Sequence, residues 1–170
     1  MNQTLYLLRH AKAEPWSPGI NDFGRSLNQK GHDHMLHLAA WMQANLSAPG
    51  AALCSPSLRT RETIAPFFSA WPQLQDKTAY VEEMYEASTG LLHSLAEQAF
   101  EDSESVFMVG HNPGFEYLAT AVLREADEEK ITKMATGTLA VIEFPHGYQD
   151  DSGQGVLRHW VEFKNLLKDL

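Results

Sequence analysis

The chain has 170 residues and only one cysteine, Cys54. A single cysteine cannot form a disulfide within the chain, so folding must rest on packing and hydrogen bonds. The N-terminal residues lack the charged start and long apolar run of a signal peptide. No stretch approaches the roughly 20 consecutive apolar residues that cross a bilayer. These absences predict a cytoplasmic protein that has no membrane partner.

Basic residues are also scarce, because 13 Lys and Arg stand against 22 Asp and Glu, giving a formal net charge of -9. Nucleic-acid binding needs clustered cations against the phosphate backbone, and the sequence has no such cluster. Nucleic acid is therefore excluded as a partner, and any positive charge used in function must come from individual arginines. The length and the 44% apolar content suit one globular domain covering residues 1–170.

Short apolar runs alternate with segments of helical periodicity along the chain. The runs typical of strands lie at residues 4–8, 51–54, 78–81, 105–109, 138–144 and 156–163. The periodicity predicts a helix over about 29–46, while Ser57 and Ser88 are suited to cap two further helices and Pro113 to the first turn of another. The polar span 146–155 is typical of a long hairpin loop. This alternation predicts a three-layer α/β/α sandwich with a mainly parallel central sheet.

Three of the predicted strands end in residues that can carry chemistry. The first ends at Arg9 and His10, the second is followed by a turn that reaches Arg59, and the fourth is followed by His111. Active sites of parallel α/β sheets lie at the carboxyl ends of the strands, so these side chains are expected to converge on one crevice. A cluster of cations needs an anion, and a phosphoryl group fits because guanidinium groups bind its oxygens bidentately.

His10 is the candidate nucleophile in this cluster. A neutral imidazole can attack phosphorus in line with the leaving group, giving a phosphohistidine that water then cleaves. The neighbouring guanidinium groups of Arg9 and Arg59 should lower the pKa of His10 and favour its neutral form. The same arginines are predicted to clamp the phosphoryl oxygens, with His111 as a hydrogen-bond donor.

Three motifs in this order resemble the histidine phosphatase superfamily, whose fold is phosphoglycerate mutase-like. They are Leu8-Arg9-His10-Ala11, then Ser55-Pro56-Ser57-Leu58-Arg59-Thr60-Arg61-Glu62-Thr63, then Val109-Gly110-His111-Asn112-Pro113. Together with segments 22–31 and 133–144 the resemblance extends over nearly the whole chain. The short length and the start Arg9-His10-Ala11-Lys12 are most similar to the compact SixA-type phosphohistidine phosphatases. Ala11 stands where many members of the family have glycine.

The resemblance implies that His10 is the nucleophile and that Arg9, Arg59 and His111 form the phosphate pocket, with Asn112 among the phosphate-binding residues. It also implies a mechanism without metal or cofactor and a substrate that carries phosphate on a protein histidine. Two alternatives stay open from the sequence, namely a phosphatase for a small phosphorylated metabolite and a non-catalytic module that binds a phosphorylated partner. The expected assembly is a monomer or weak dimer.

The sequence leaves the general acid open. The larger members of the family place a Glu or Asp after the third strand, and Met84-Tyr85-Glu86 resembles that position. Glu86 is therefore the candidate proton donor, and Glu82 and Glu83 are nearby alternatives. Compact members can lack an acid there, in which case Glu86 would cap a helix or face water.

Other patterns have simpler explanations. Four residues separate Cys54 from Arg59, whereas the loop of cysteine phosphatases needs five, so Cys54 is predicted to be a small buried residue. The histidines His32, His34 and His37 lack the further ligands of a metal site and predict a solvated helix face.

The loop 12–24 and the span after Glu83 are the predicted walls of the pocket. Lys12 is a candidate to add charge at its rim, and an exposed lysine without a role there is the alternative. Among the four tryptophans, Trp16 is the best placed to contact substrate, although packing in the core or at the rim is the ordinary role of the residue.

Overall fold

The computed structural model describes residues 1–149 and 153–167, and six strands form one central sheet. The strands are β1 (Gln3–Arg9), β2 (Ala51–Cys54), β3 (Thr78–Tyr80), β4 (Ser105–Gly110), β5 (Leu139–Phe144) and β6 (Val156–Val161). Their order in the sheet is β3-β2-β4-β1-β5-β6. The four strands from β3 to β1 are parallel, and β5 is antiparallel to both of its neighbours. The prediction of a mainly parallel sheet is confirmed.

Helices connect the strands along the described part of the chain. They are α1 (Gln29–Asn45), α2 (Leu58–Ala70), α3 (Thr89–Phe100), α4 (Gly114–Val122), α5 (Glu125–Glu128) and α6 (Phe163–Leu167), with short 3-10 helices at Asp22–Gly24, Pro72–Lys77 and Glu82–Met84. Ser88 caps α3 as predicted, since its hydroxyl accepts a hydrogen bond from the Leu91 amide. Ser57 occupies the corresponding position before α2, but its hydroxyl bonds to the Thr60 hydroxyl instead of a backbone amide. None of the described helices is long and apolar enough to cross a membrane.

Both faces of the sheet are covered, which accounts for the continuous apolar runs of the central strands. In β1 the side chains of Leu5 and Leu7 pack into one buried cluster with α3 and α4, and those of Tyr6 and Leu8 pack into another with α1 and α2. Successive side chains of a strand point to opposite faces, so each run supplies both cores. The prediction of three layers is confirmed.

The register of the parallel strands brings their carboxyl ends to one edge of the sheet. Arg9 pairs with Gly110 and Cys54 pairs with Val109. Two hydrogen bonds extend the ladder past these pairs, from the His10 amide to the Gly110 carbonyl at 2.9 Å and from the Ser55 amide to the Val109 carbonyl at 3.0 Å. The residues that follow β1, β2 and β4 therefore lie side by side.

The prediction of a solvated histidine face on α1 is wrong for His34. Its side chain is 5% exposed, and its ring lies 4.6 Å from the ring of Phe163 on α6. The C-terminal helix returns over α1 and covers this position, whereas His37 on the same helix stays exposed. The predicted hairpin loop 146–155 joins β5 to β6, and residues 150–152 within it lie outside the described residues.

Candidate active site

A cavity of about 290 Å³ opens at the carboxyl edge of the parallel strands. It is lined by Arg9, His10, Asp22, Arg25, Arg59, Tyr85, Glu86, His111 and Asn112. All six residues that the sequence predicts for the site therefore meet in one place, although more than 100 positions separate the first from the last. The exposed side chains of Glu82 and Glu83 are not part of the lining, which leaves Glu86 as the carboxylate among the three candidates that faces the cavity.

The His10 ring is held in one tautomer by its own backbone. Its Nδ1 lies 2.8 Å from the Ala11 carbonyl oxygen, which can only accept, so Nδ1 carries the proton. Burial is the main cause that lowers the pKa of His10 to about 4, and the charges of Arg59 and Arg9 add to it. The ring is neutral at physiological pH, and its Nε2 therefore bears a free electron pair.

The loop after the nucleophile is tied to the start of α2. The Ala11 amide donates to the Thr63 hydroxyl at 3.0 Å, and that hydroxyl donates to the Arg59 carbonyl at 2.6 Å. Gly31 at the start of α1 lies against the same loop, where a Cβ atom would stand 2.2 Å from the Lys12 carbonyl oxygen. Only glycine allows this approach. The contacts fix His10 relative to Arg59.

A second set of hydrogen bonds positions Arg9. Its Nη1 and the Nδ2 of Asn112 each donate to the Met134 carbonyl at 2.9 Å. The Met134 amide in turn donates to Glu116 Oε1 at 2.9 Å, and the Glu116 amide donates to Asn112 Oδ1 at 3.2 Å. The side chain of Asn112 thus bonds to the first turn of α4 and braces the loop 133–137 against Arg9, in addition to lining the cavity.

Asp22 links the opposite wall of the cavity. Its backbone and carboxylate oxygens accept from Nη1 and Nη2 of Arg59 at 2.7 and 3.0 Å, and the carboxylate also accepts from Nε of Arg25 at 3.0 Å. The Tyr85 hydroxyl donates to the same carboxylate. This bond from Tyr85, followed by those from the arginines, lowers the pKa of Asp22 to about 2. The guanidinium of Arg59, 6% exposed, is therefore held from one edge.

Three nitrogen atoms of the site are buried and have no hydrogen-bond partner among the described residues. They are Nε of Arg9, Nε of Arg59 and Nδ1 of His111. Buried polar atoms in proteins are nearly always bonded, so three exceptions around one cavity need an explanation. A phosphoryl group supplies one, because its oxygens accept several hydrogen bonds from converging donors at once.

His111 lies beside the nucleophile, with 5.3 Å between the centres of the two rings. Its Nε2 is 2.8 Å from the Ser55 hydroxyl oxygen. Burial, followed by the proximity of His10 and Arg59, lowers the pKa of His111 to about 3. His111 is therefore neutral and carries one ring proton.

The sequence did not assign a role to Asp22, Arg25, Tyr85 or Ser55. The first two lie in segment 22–31, and the other two lie beside Glu86 and Arg59 in segments that resemble the family. Their position in these segments was a weak indication that they belong to the site. Polar residues in loops are common, however, and whether they converge depends on long-range packing. Conversely, Lys12 does not line this cavity, and of its two interpretations the exposed lysine without a role at the rim agrees with the structure.

Lys12 instead lines a separate cavity of about 330 Å³ together with Lys30, Asp33, His34, Thr136 and Phe163. Trp16 is 66% exposed on the loop before Asp22 and lies outside the lining of the central cavity. Cys54 is fully buried as predicted, and burial raises the pKa of its thiol to about 12.

Two further recesses adjoin the central cavity. One of about 360 Å³ shares Tyr85, Glu86, His111 and Asn112 with it and continues along residues 87–88 and 113–114. Another of about 330 Å³ shares Arg25 and is lined by the exposed Ile20 and other residues of the loop 14–26. The central cavity is thus part of a longer recess.

The fold and the arrangement of the site residues are similar to those of the histidine phosphatase superfamily, and the resemblance of the sequence to its SixA-type members is confirmed. The protein of Agrobacterium tumefaciens assigned as phosphohistidine phosphatase SixA is 29% identical, with a TM-score of 0.81 over 94% of this chain and 97% of that chain. A structure of the protein histidine phosphatase SixA complexed with tungstate has the same fold, with a TM-score of 0.79 at 22% identity over 96% of this chain and 99% of that chain. The likeness to the Agrobacterium protein supports a phosphatase, and hence a hydrolase.

The sequence is also similar to the uncharacterized protein Rv1276c of Mycobacterium tuberculosis. The two are 28% identical over 158 residues, which are 91% of this chain and 90% of the relative. No profile of a known protein family matches the chain.

Proposed function

We propose that this protein removes a phosphoryl group from a protein phosphohistidine by way of a phosphohistidine intermediate on His10. The observation that carries the proposal is the set of three buried, unpartnered nitrogens of Arg9, Arg59 and His111 around the neutral imidazole of His10. Binding an anion needs only the donors. A neutral imidazole with its electron pair free among them is the arrangement of a nucleophile.

In the first step, Nε2 of His10 attacks phosphorus and forms a P–N bond, while the bond from phosphorus to the leaving atom breaks. The Nε atoms of Arg9 and Arg59 and a ring proton of His111 stabilise the three equatorial oxygens as charge builds on them. In the second step, water attacks phosphorus, the P–N bond breaks, and His10 regains its neutral form with release of inorganic phosphate.

Glu86 is the proposed proton donor to the leaving atom, because it is the carboxyl of the predicted set that lines the cavity. Asp22 also lines it, but Tyr85 and two arginines stabilise its charged form, which disfavours a role as acid. A phosphohistidine substrate needs this help less than an alkyl ester does, since a leaving imidazole can take a proton on its own second nitrogen.

The shape of the recess supports a protein substrate over a small metabolite. A small ester would occupy the central cavity, whereas the two adjoining recesses extend the surface to Ile20 on one loop and to Pro113 on another. Trp16 and Phe23 on the same loop as Ile20 expose large apolar side chains. Exposed apolar groups beside a polar pocket are typical of surfaces that contact another macromolecule. Cytoplasmic location and a monomeric or weakly dimeric state are part of the proposal.

The test is a comparison of substrates with the purified protein. Phosphate release is measured with a phosphohistidine-bearing protein, a phosphoserine peptide and an aryl phosphate, each with wild type and Ile20→Ser. We expect the phosphohistidine protein to give the highest kcat/KM, and Ile20→Ser to lower it severalfold for this substrate alone. Brief reaction with labelled substrate followed by alkaline quench should trap label on His10, because phosphohistidine survives base.

Each result separates the proposal from its alternatives. Turnover limited to small phosphates would mean that the substrate is a small metabolite and not a phosphorylated protein. Tight phosphate binding without turnover of any substrate would favour a binding module. Label on a residue other than His10 would contradict the mechanism.

A further inference from the structure

Ser55 stands directly after β2 at the edge of the site and is fully buried. Its amide bonds to the Val109 carbonyl of β4, which fixes the backbone beside the strand that leads to His111. Its hydroxyl oxygen lies 2.8 Å from Nε2 of His111. The hydroxyl is therefore a neighbour of the ring of His111 and does not itself line the cavity.

The proton of this hydroxyl has one acceptor among the described residues, which is Nε2 of His111. The bonds that Thr60 and Cys54 make to Ser55 go to its carbonyl oxygen and leave the hydroxyl free. With a proton on Nε2, both the hydroxyl proton and Nδ1 would lack a partner, whereas with the hydroxyl donating to Nε2 only Nδ1 lacks one. The second arrangement costs less, so the proton points at Nε2. A ring nitrogen that accepts this bond cannot carry a proton itself.

The remaining ring nitrogen, Nδ1, is buried and has no partner among the described residues. A neutral imidazole has one ring proton, and with Nε2 acting as acceptor it must be on Nδ1. The proton is then on the nitrogen that, like Nε of Arg9 and Nε of Arg59, awaits an acceptor. In the opposite tautomer Nδ1 would present an electron pair, which repels a phosphoryl oxygen.

We infer that Ser55 is a positioning residue that holds His111 in the Nδ1–H tautomer, so that its ring donates to the phosphoryl group. The inference rests on the proposed function for its catalytic meaning, but the tautomer itself is a property of the free protein. The tautomer of His10 is also selected by a neighbouring group, because the Ala11 carbonyl accepts a hydrogen bond from Nδ1 of that ring. At His111 a serine selects the tautomer by donating.

The test is nitrogen NMR of the histidine rings at neutral pH, because protonated and unprotonated ring nitrogens have well-separated shifts. The wild-type His111 signal should show a protonated Nδ1 and an unprotonated Nε2. Ser55→Ala should shift the equilibrium towards the Nε2–H form that free imidazole side chains prefer. Ser57→Ala is the matched control, since this serine is also buried at the start of α2 but bonds to Thr60 and leaves His111 untouched.

Turnover gives a second readout. Ser55→Ala should lower kcat by about tenfold, less than the roughly 10²- to 10³-fold of losing a donor outright, because part of the population keeps the productive tautomer. The Nε2–H form in the wild type would overturn the inference even if the variant failed to fold. An unchanged Nδ1–H form in Ser55→Ala would overturn it as well. If the wild-type protein released phosphate from no substrate but its His111 was in the Nδ1–H form, the proposed function would be contradicted. The role of Ser55 in selecting the tautomer would still hold.

Discussion

Two cavities among the described residues each place a buried histidine near cations, and they differ in how the cations are held. In the central cavity Arg9 and Arg59 are fixed by hydrogen bonds to Met134 and Asp22. In the cavity beside α1 the cations near His34 are exposed lysines. A mobile ammonium group is well solvated and loses conformational freedom when it binds, whereas a fixed guanidinium has already lost it.

The two histidines differ in the same way. Both have a pKa lowered to about 4 mainly by burial, so the shift alone does not distinguish them. His10 has a defined tautomer and lies among the unpartnered nitrogens of Arg9, Arg59 and His111. His34 packs on Phe163 and against Gly137, and the unpartnered atom there is its own Nε2. A perturbed pKa therefore marks burial here, and only the convergence of fixed donors marks a site of chemistry.

The largest expected difference between the cavities is in catalysis. His10→Asn should lower kcat for an aryl phosphate by at least about 10⁴-fold, because the nucleophile is removed while the ring volume is roughly kept. His34→Gln should stay within about threefold of wild type, since His34 is not among the lining residues of the central cavity and is linked to it through its packing against Gly137. The measurement is steady-state turnover of both variants at neutral pH.

Equal losses of kcat in these two variants would contradict the proposed difference in catalysis between the two cavities. Such a result would mean that the contact of His34 with Gly137, whose amide bonds to the carbonyls of Arg9 and His10, transmits more than packing. Circular dichroism of His34→Gln is the control that separates this effect from simple unfolding.

The next effect concerns the cations. Arg59→Lys should lower kcat/KM by roughly 10²- to 10³-fold, because an ammonium group cannot bind Asp22 and a phosphoryl oxygen from two edges at once. Lys30→Ala in the other cavity should leave kcat/KM unchanged. Steady-state kinetics with the same aryl phosphate test both, and a loss of less than tenfold in Arg59→Lys would show that the fixed geometry contributes little.

Much of this arrangement could be predicted from the sequence because strand ends obey simple rules. The apolar runs predict buried parallel strands, and the residues after such strands share one edge of the sheet. This rule is why the sequence predicts that His10, Arg59 and His111 lie in one crevice. The proposed catalytic roles of these residues stay predictions until they are tested by mutation. The single-domain organisation over residues 1–170 also stays a prediction.

Other features depend on contacts that no local pattern encodes. Asp22 and Tyr85 are 63 positions apart and meet only because the loops before α1 and α3 fold over the same edge. The burial of His34 depends on α6, the last helix of the described chain, so the periodicity of α1 predicts an exposed face where another element in fact covers it. The direction of the hydrogen bond between Ser55 and His111 depends on which atoms surround the hydroxyl, and these atoms come from distant parts of the chain.

A smaller effect is shared by the two cavities and concerns stability in acid. The folded state holds His10, His34 and His111 with pKa values of about 4, 4 and 3, against about 6.5 in the unfolded chain. Above pH 6.5 these rings are neutral in both states. Between pH 6.5 and 4 the unfolded chain takes up protons that the folded protein does not, so the free energy of unfolding falls as pH falls.

His34→Gln isolates one of these rings without touching the central cavity. It should reduce the loss of unfolding free energy between pH 7 and pH 4.5 by up to about 2 kcal/mol, measured by urea unfolding at the two pH values. Leu36→Gln, at an exposed position of the same helix that carries no titratable group, is the control and should leave the loss as it is in the wild type. An identical loss in all three proteins would contradict a buried neutral His34.

The smallest expected effect lies at the outer wall of the central cavity, where the side chain of Glu86 is exposed and therefore weakly fixed. Glu86→Gln should lower kcat for an alkyl phosphate, because an alkoxide must be protonated as it leaves. The expected loss is about tenfold, which is below the roughly 10²- to 10⁴-fold rate contribution that is typical of a general acid. The same variant should turn over protein phosphohistidine within about twofold of wild type, since the leaving imidazole takes its proton on the ring. Glu83→Gln, outside the lining, should change neither rate. Equal losses on both substrates would mean that Glu86 binds the substrate instead of protonating its leaving group, and the central cavity would then act through fixed nitrogen donors alone.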